Sequence, residues 1–554
     1  MSTILSDFSL LYPNAATHEK HYNGEDKTNI SMFTLEELGL LEIFHLKNSD
    51  LSEYFTADPD VIRYRNEVFK DMLACPSIAK TLGRLIPILG DIMELRRLEA
   101  DDGETNSYLL SISEIELYIS SIDILHRGLG PLREKMQSVA FRTLTDRIAE
   151  LAESDYYAEL NQKLNELTSR VREIRSVTIG VNLDAQLRPS SAGVLSINPE
   201  PFRSGDVLEK ILRLNFKDDE YTCIADLVPF GKKQSENQKT ALSLAFYSAI
   251  NDVYKTSLRS WKKIVQSYVL ENTDFLLNLM PEIEFVVKGT EMLRRLSEKG
   301  CPLSVPTIRT EGLPVFRATD LYNPCVALRI EDEIVSNDVT FDESAMIWVL
   351  TGPNRGGKSV ITCAIGLAQV MLQLGLFLPA KQIEVTPVDA IFTHFPSGAD
   401  DTINKGRLGE ECARLGEIFD EVTGKSLVLL DESLSSTGSF EASYIAAEVL
   451  AGLSRVGCRC LFSTHLHELA AEVDAINART VKEGGVRIDT LVAGIEEGRR
   501  SFKIVKAKPD GKSYARDIAE RYGLTYENII RHLDEPQRLN TPNIRTLDNG
   551  RTVL

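Results

Sequence analysis

Thr351-Gly352-Pro353-Asn354-Arg355-Gly356-Gly357-Lys358-Ser359 is the stretch on which the fold turns. Its spacing, Gly352, four residues, then Gly357-Lys358-Ser359, is that of a Walker A phosphate-binding loop. The apolar run Met346–Leu350 precedes it, and Ile361–Leu378 follows without a helix breaker until Pro379. Strand, glycine loop and helix in that order predict an α/β nucleotide-binding unit. The glycines let successive N–H groups turn inward around a β-phosphate, and the helix beginning near Lys358 adds its positive end. In that geometry Gly352, Pro353, Asn354, Gly356, Gly357 and Val360 shape or flank the cradle, Lys358 reaches the β- and γ-phosphates, and Ser359 holds Mg²⁺. ATP with Mg²⁺ is the expected ligand.

Two further runs complete the constellation. Leu427-Val428-Leu429-Leu430 ends in Asp431-Glu432, the Walker B order: Asp431 supports Mg²⁺ and Glu432 orients or deprotonates the attacking water. Cys458–Ser463 is a third strand and leads into Thr464-His465-Leu466-His467-Glu468. The two histidines lack the two-faced helical spacing of a zinc hydrolase, so His465 reads as a sensor of the γ-phosphate or the lytic water and His467 as structural.

With 554 residues the chain divides into several units. A net charge of −19 excludes coating nucleic acid through bulk charge, so any DNA contact is local or ATP-gated. Eight scattered cysteines give neither a disulfide framework nor a zinc spacing, which fits a reducing cytoplasm. The N-terminus has no basic n-region, and the most apolar stretch, 365–380, is short and carries Gln369 and Gln373, so neither export nor a membrane span is expected.

In chain order, residues 1–31 read as a polar, turn-forming mobile arm and 32–183 as a helical core with a first lever. Residues 132–175 hold neither Gly nor Pro and repeat apolar residues at three–four spacing, as one long helix or as two kinked near Ser154-Asp155. The β-branched run Val177–Leu183 opens a small β-containing tip, 184–235, whose mixed charge reads as a solvated face. Returning lever helices fill 236–300, with Pro281 ending the first of them. An α/β ATPase domain follows over 301–535 and a charged tail over 536–554.

The nucleotide-domain motifs, with Ile391-Phe392-Thr393, Gly398-Ala399-Asp400-Asp401 and Lys512-Ser513-Tyr514-Ala515, resemble the MutS family of DNA mismatch-repair ATPases, which are ABC-type. The similarity is strong over about 315–535 and architectural upstream, where the helices resemble the family's levers and the tip its clamp. It implies a homodimer whose ATP sites are completed across the interface, contact with duplex or branched DNA, and an adenine held by Ile334 and Val335. The departures are specific. Gly406-Arg407-Leu408-Gly409 stands where the family carries Gly-x-Ser-Thr-Phe, Arg355 replaces a common methionine, and Ser435–Ser439 lacks the usual Gly-Arg-Gly-Thr order. The roughly 350 residues before the loop leave no room for mismatch-reading and connector domains, and the N-terminus has no Phe-x-Glu. The reading is therefore an ATPase acting on duplex or branched DNA in repair or recombination rather than on mismatches. The alternative is an ATP-gated scaffold for a protein partner.

Overall fold

The computed structural model describes residues 8–44, 46, 51–101, 108–172, 176–186, 189–198, 262–353, 355–396, 407–435, 437–496, 499–508, 520 and 522–534. Most of the tip (199–235), the start of the returning lever (236–261), Asn354, 397–406 with Gly406, 512–515 and the tail lie outside them.

The C-terminal half is built on a seven-stranded sheet. Its order is Asn29–Ile30, Ala390–His394, Leu427–Asp431, Arg459–Ser463, Ile347–Thr351, Ile488–Glu496 and Arg499–Lys506. All neighbouring pairs are parallel except the last, a hairpin. The three central strands are buried at every position, as a parallel sheet covered on both faces requires. Helices Lys358–Gln373, Arg407–Glu421, Ser439–Val456 and His467–Thr480 supply the cover. A four-stranded sheet, Thr307–Ile308, Gln382–Val385, Phe316–Leu321 and Asn337–Phe341, completes the domain.

The upstream part is helical: Pro59–Ala74, Pro76–Asp101, Tyr108–Leu129, Val139–Ala152, Asp155–Arg172 and Lys262–Glu298. The glycine-free stretch resolves as two helices, because the Ser154 hydroxyl accepts from the Tyr157 amide and donates to the Leu151 carbonyl, closing one helix and opening the next. Pro281 does not end its helix, which runs on to Glu298. Just beyond it Ile283, Phe285 and Val286 are buried, Phe285 against the rings of Phe44, Tyr54 and Phe69, and that packing outweighs one lost helical hydrogen bond. Beyond the first lever, Ser176–Leu183 and Pro189–Asn198 form an antiparallel pair, so the β-branched run is a strand.

The N-terminal segment departs most from expectation. Residues 8–31 are not a free arm: Leu10, Leu11 and Tyr12 are buried, Ala15–Tyr22 is a capped helix, and Asn29–Ile30 pairs with Ala390–Ile391 at the sheet edge. Glu282 of the lever helix accepts from the Ser9 hydroxyl and the Leu10 amide, and Leu38 packs on the loop-following helix where Gly366 leaves room. A methyl group at Gly366 would come within 2.5 Å of Leu38. The segment thus straps the helical region to the sheet.

Candidate nucleotide site

Parallel register brings the motif residues to one edge. Asp431 lies opposite Ser463, and Ser463 opposite Leu350, so Thr351, Ser463 and Asp431 end three adjacent strands in a row. The Thr464 amide donates to the Leu350 carbonyl (2.9 Å) and the Glu432 amide to the Ser463 carbonyl (2.8 Å), fixing the turns that leave this edge. Ligands of open α/β sheets bind at the carboxyl ends of strands, and here that end carries the glycine loop.

The loop is shaped by contacts that exclude side chains. A methyl group at Gly352 (φ 148°) would meet the Ala493 Cβ at 2.6 Å, and one at Gly356 the Pro353 carbonyl oxygen at 2.8 Å. Gly357 (φ 92°) caps the helix that begins at Lys358. The buried Lys358 ammonium donates to the carbonyls of Gly352 (3.1 Å) and Pro353 (3.2 Å) and lies 3.8 Å from Glu432. Burial pulls its pKa down, while Glu432 and Asp431 push it back up.

Asp431 is buried, and burial raises its pKa; the Ser359 hydroxyl and the Lys358 ammonium act the other way. Its Oδ1, the Ser463 Oγ and the Thr351 Oγ1 are buried without a hydrogen-bond partner among the described residues. Three oxygens of this kind at adjacent strand ends, with a carboxylate among them, fit a hard cation with its water.

The turn after Asp431 is strained. Glu432 (φ 47°) and Leu434 (φ 64°) both adopt left-handed backbone, which bulky residues hold only where their surroundings enforce it. Ser433 between them is gripped by His394: its hydroxyl donates to the His394 carbonyl (3.0 Å), and the ring Nδ1 of His394 lies 2.7 Å from the Ser433 hydroxyl oxygen. Glu432 then faces the loop, 4.0 Å from the half-exposed His465. His467 begins the following helix, away from that contact.

His394 carries a pH prediction. Burial, reinforced by the Arg414 guanidinium, pushes its imidazole from 6.5 down to about 4. The unfolded chain takes up this proton first, so the stability supplied by the neutral ring is complete above 6.5 and is lost as pH falls towards about 4. Urea unfolding at pH 7 and pH 5 should differ by roughly 2 kcal/mol from this group alone. His394→Asn should shrink that difference, and an unchanged difference would assign the acid sensitivity elsewhere.

A cavity of about 590 Å³ opens from the loop. Gly357, Lys358, Ser359, Val360 and Glu432 line it, together with Ile334, Val335 and Asn337. All the predicted loop residues among the described ones except Gly352, Pro353 and Gly356 line it directly; Asp431 ends a neighbouring strand and His465 follows the next, and neither is part of the lining. Phe502 has no counterpart among the sequence expectations. It comes from the hairpin strand with φ 56°, covers Gly357 and faces the same cavity. Asn337 anchors it, donating to the Phe502 carbonyl (3.2 Å) and accepting from the Ile504 amide (2.7 Å). In sequence Ser501-Phe502-Lys503 is ordinary strand alternation, so only a tertiary contact reveals it. Leu408, in place of the family's serine, packs against the apolar layer of its own domain.

Comparison with known proteins agrees with this geometry. Residues 348–535 match the model of MutS domain V, and residues 57–299 match that of the MutS2 N-terminal domain. The chain is similar to the DNA mismatch repair protein MutS of Prochlorococcus marinus (strain AS9601), 30% identical over 230 residues, 39% of this chain and 24% of that protein. The MutS of Chloroflexus aurantiacus (strain ATCC 29366 / DSM 635 / J-10-fl) is 33% identical over 235 residues, 41% and 23% of the two chains. That of Clostridium botulinum (strain Hall / ATCC 3502 / NCTC 13319 / Type A) is 33% identical over 297 residues, 49% and 31%. The chain thus spans about a quarter to a third of the curated relatives it matches. The region upstream of the loop is occupied by the MutS2-type match. With domain V over the nucleotide site and a MutS2-type region before it, the chain belongs to the MutS family and carries that family's ATPase domain.

Proposed function

We propose that this MutS-family ATPase is a cytoplasmic homodimer that uses ATP and Mg²⁺ to act on duplex or branched DNA in repair or recombination. The observation that carries the catalytic part is the shared strand edge: Lys358 and Ser359 from the loop, with Asp431 and Glu432 from the neighbouring Walker B turn. Lys358 would hold the β- and γ-phosphates, with Gly352, Pro353, Asn354, Gly356, Gly357 and Val360 framing them. Ser359 and Asp431 would hold Mg²⁺, whose bound charge offsets that of the phosphates. Glu432 accepts a proton from the water that attacks the γ-phosphorus as the bond to ADP breaks, and His465 senses the terminal phosphate. Ile334 and Val335 contact the adenine. The DNA part rests on the curated MutS relatives, named for DNA mismatch repair, and on the chain order in which helices Asp155–Arg172 and Lys262–Glu298 precede and follow a β pair. The sequence departures, among them an N-terminus without Phe-x-Glu, favour a target other than a mispaired base.

On this reading 32–183 and 236–300 are core and levers, 184–235 is the tip and 301–535 the ATPase domain. Among the described residues no single helix is long and apolar enough to cross a membrane; the bent pair Pro59–Ala74 and Pro76–Arg97 passes the same test by length and composition only, with many of its apolar side chains in the core.

The test is steady-state hydrolysis at low salt with no DNA, homoduplex, mismatched duplex and a four-way junction. Junction or homoduplex should stimulate at least as well as mismatch, and stimulation should fall steeply as salt rises. A second reading, an ATP-gated scaffold for a protein partner, is favoured by the net charge of −19. Hydrolysis indifferent to every DNA, with no DNA binding at low salt, would select it.

A further inference from the structure

We propose that Arg355 is a phosphate-binding cation of the nucleotide site, placing a second positive charge beside Lys358 from within the same loop. This rests on reading the cavity as the ATP site. Arg355 sits at φ 61°, a backbone conformation that glycine adopts freely and arginine does not, in a loop that uses glycine at its neighbouring positions. A long charged side chain kept at a strained position of a binding loop points to a use for that side chain. Its guanidinium is exposed, lines the cavity, and makes no ion pair or hydrogen bond among the described residues.

Charge balance in the cavity makes that use specific. Among the described residues its lining holds three carboxylates, Asp332, Glu333 and Glu432, against two cations, Lys358 and Arg355. The Lys358 ammonium is already committed to two loop carbonyls and faces Glu432. Among the described residues Arg355 is thus the lining cation without a contact of its own, placed to join Lys358 on an incoming polyphosphate. A guanidinium forms paired hydrogen bonds with phosphate oxygens, and its charge persists at every working pH. A cation supplied in the same chain as the loop also requires nothing from the stretch around Leu408, whose side chain packs into its own domain.

The experiment is equilibrium binding of fluorescent ATP and ADP analogues with Mg²⁺, in full-length wild type, R355K, R355M, R355G and, as a site control, K358A. R355M and R355G should each lose 10- to 100-fold in ATP affinity. R355K should stay within a few-fold of wild type, and the salt dependence of binding should flatten in R355M. Wild-type affinity in R355M would overturn the assignment. So would normal binding in R355G with equal losses in R355M and R355K, since the effect would then belong to the backbone. Wild type that binds no better than K358A would overturn the nucleotide-site reading itself, and the Arg355 role with it.

Discussion

Glu432→Gln should leave ATP bound and reduce its turnover by 10²- to 10⁴-fold, the range expected when a positioned general base is removed. Glutamine keeps the length and one acceptor oxygen of the carboxylate but cannot take up a proton at neutral pH. The turn should survive: Glu432 has a left-handed backbone, yet what holds it there is Ser433 gripped by His394 and the Glu432 amide bonded to the Ser463 carbonyl. Neither contact uses the Glu432 side chain. The main electrostatic change falls on Lys358, 3.8 Å away, which loses a counter-charge and should bind the phosphates slightly more tightly. The variant is therefore expected to trap the ATP-bound form. Phosphate release measured together with nucleotide affinity separates the outcomes: lost release with retained affinity supports the role. Turnover within a few-fold of wild type would leave Glu432 as a mere neighbour of the site and His465, at 4.0 Å from it, as the next candidate.

The nucleotide half is legible in the sequence because its signals are local. Met346–Leu350 and Leu427–Leu430 are continuous apolar runs and Cys458–Ser463 is broken only by the buried Arg459, as strands covered on both faces require, and each leads into a residue at the site edge. Glycine positions mark the loop, since contacts with Ala493 and the Pro353 carbonyl leave no space for a β-carbon. What is not legible depends on partners distant in sequence. Residues 13–31 are polar and turn-rich, and nothing nearby says that Asn29–Ile30 will add to a sheet whose neighbouring strand lies some 360 residues away. Pro281 reads as a stop because its ring removes one helical hydrogen bond, and only the packing of Phe285 among three other rings carries the helix past it. Phe502 looks like one more strand residue until its positive φ and its place over Gly357 are seen. The same holds for Gln369 and Gln373. In the sequence they argue only that the helix is no membrane span; in the fold they are the joint between two halves.

Gln373→Leu should destabilise the protein by roughly 3–5 kcal/mol, the sum of two or more buried polar groups left without partners. The Gln373 side chain is buried in the last turn of the loop-following helix. Its amide nitrogen shares two hydrogens among three acceptors, the Thr56 carbonyl (2.8 Å), the Val388 carbonyl (3.0 Å) and the Thr28 hydroxyl, and its oxygen accepts from the Val388 amide and from Gln369 (both 3.2 Å). The backbone carbonyl of the same residue accepts from the Thr56 amide (3.1 Å). Through Gln369, at 3.5 Å, the network reaches the buried Arg459, whose guanidinium also donates to the carbonyls of Val315 and Thr386. Leucine fills a similar volume, so the loss is polar and not a cavity, and it falls on the groups that dock residues 26–30 and 56 to the sheet. Local and global effects are separable. Hydrogen exchange at Thr28–Ile30 should quicken before the central strands do, and urea unfolding should shift to lower midpoint with little change in slope. Equal protection of the strap in variant and wild type, at unchanged midpoint, would mean that Leu38 and the Glu282 contacts hold the N-terminal segment without this network. Loss of the strap in the variant would also expose the Ala390–His394 strand edge beside Asp431, so ATP affinity measured on the same protein reports whether docking of the N-terminal segment is felt at the nucleotide site.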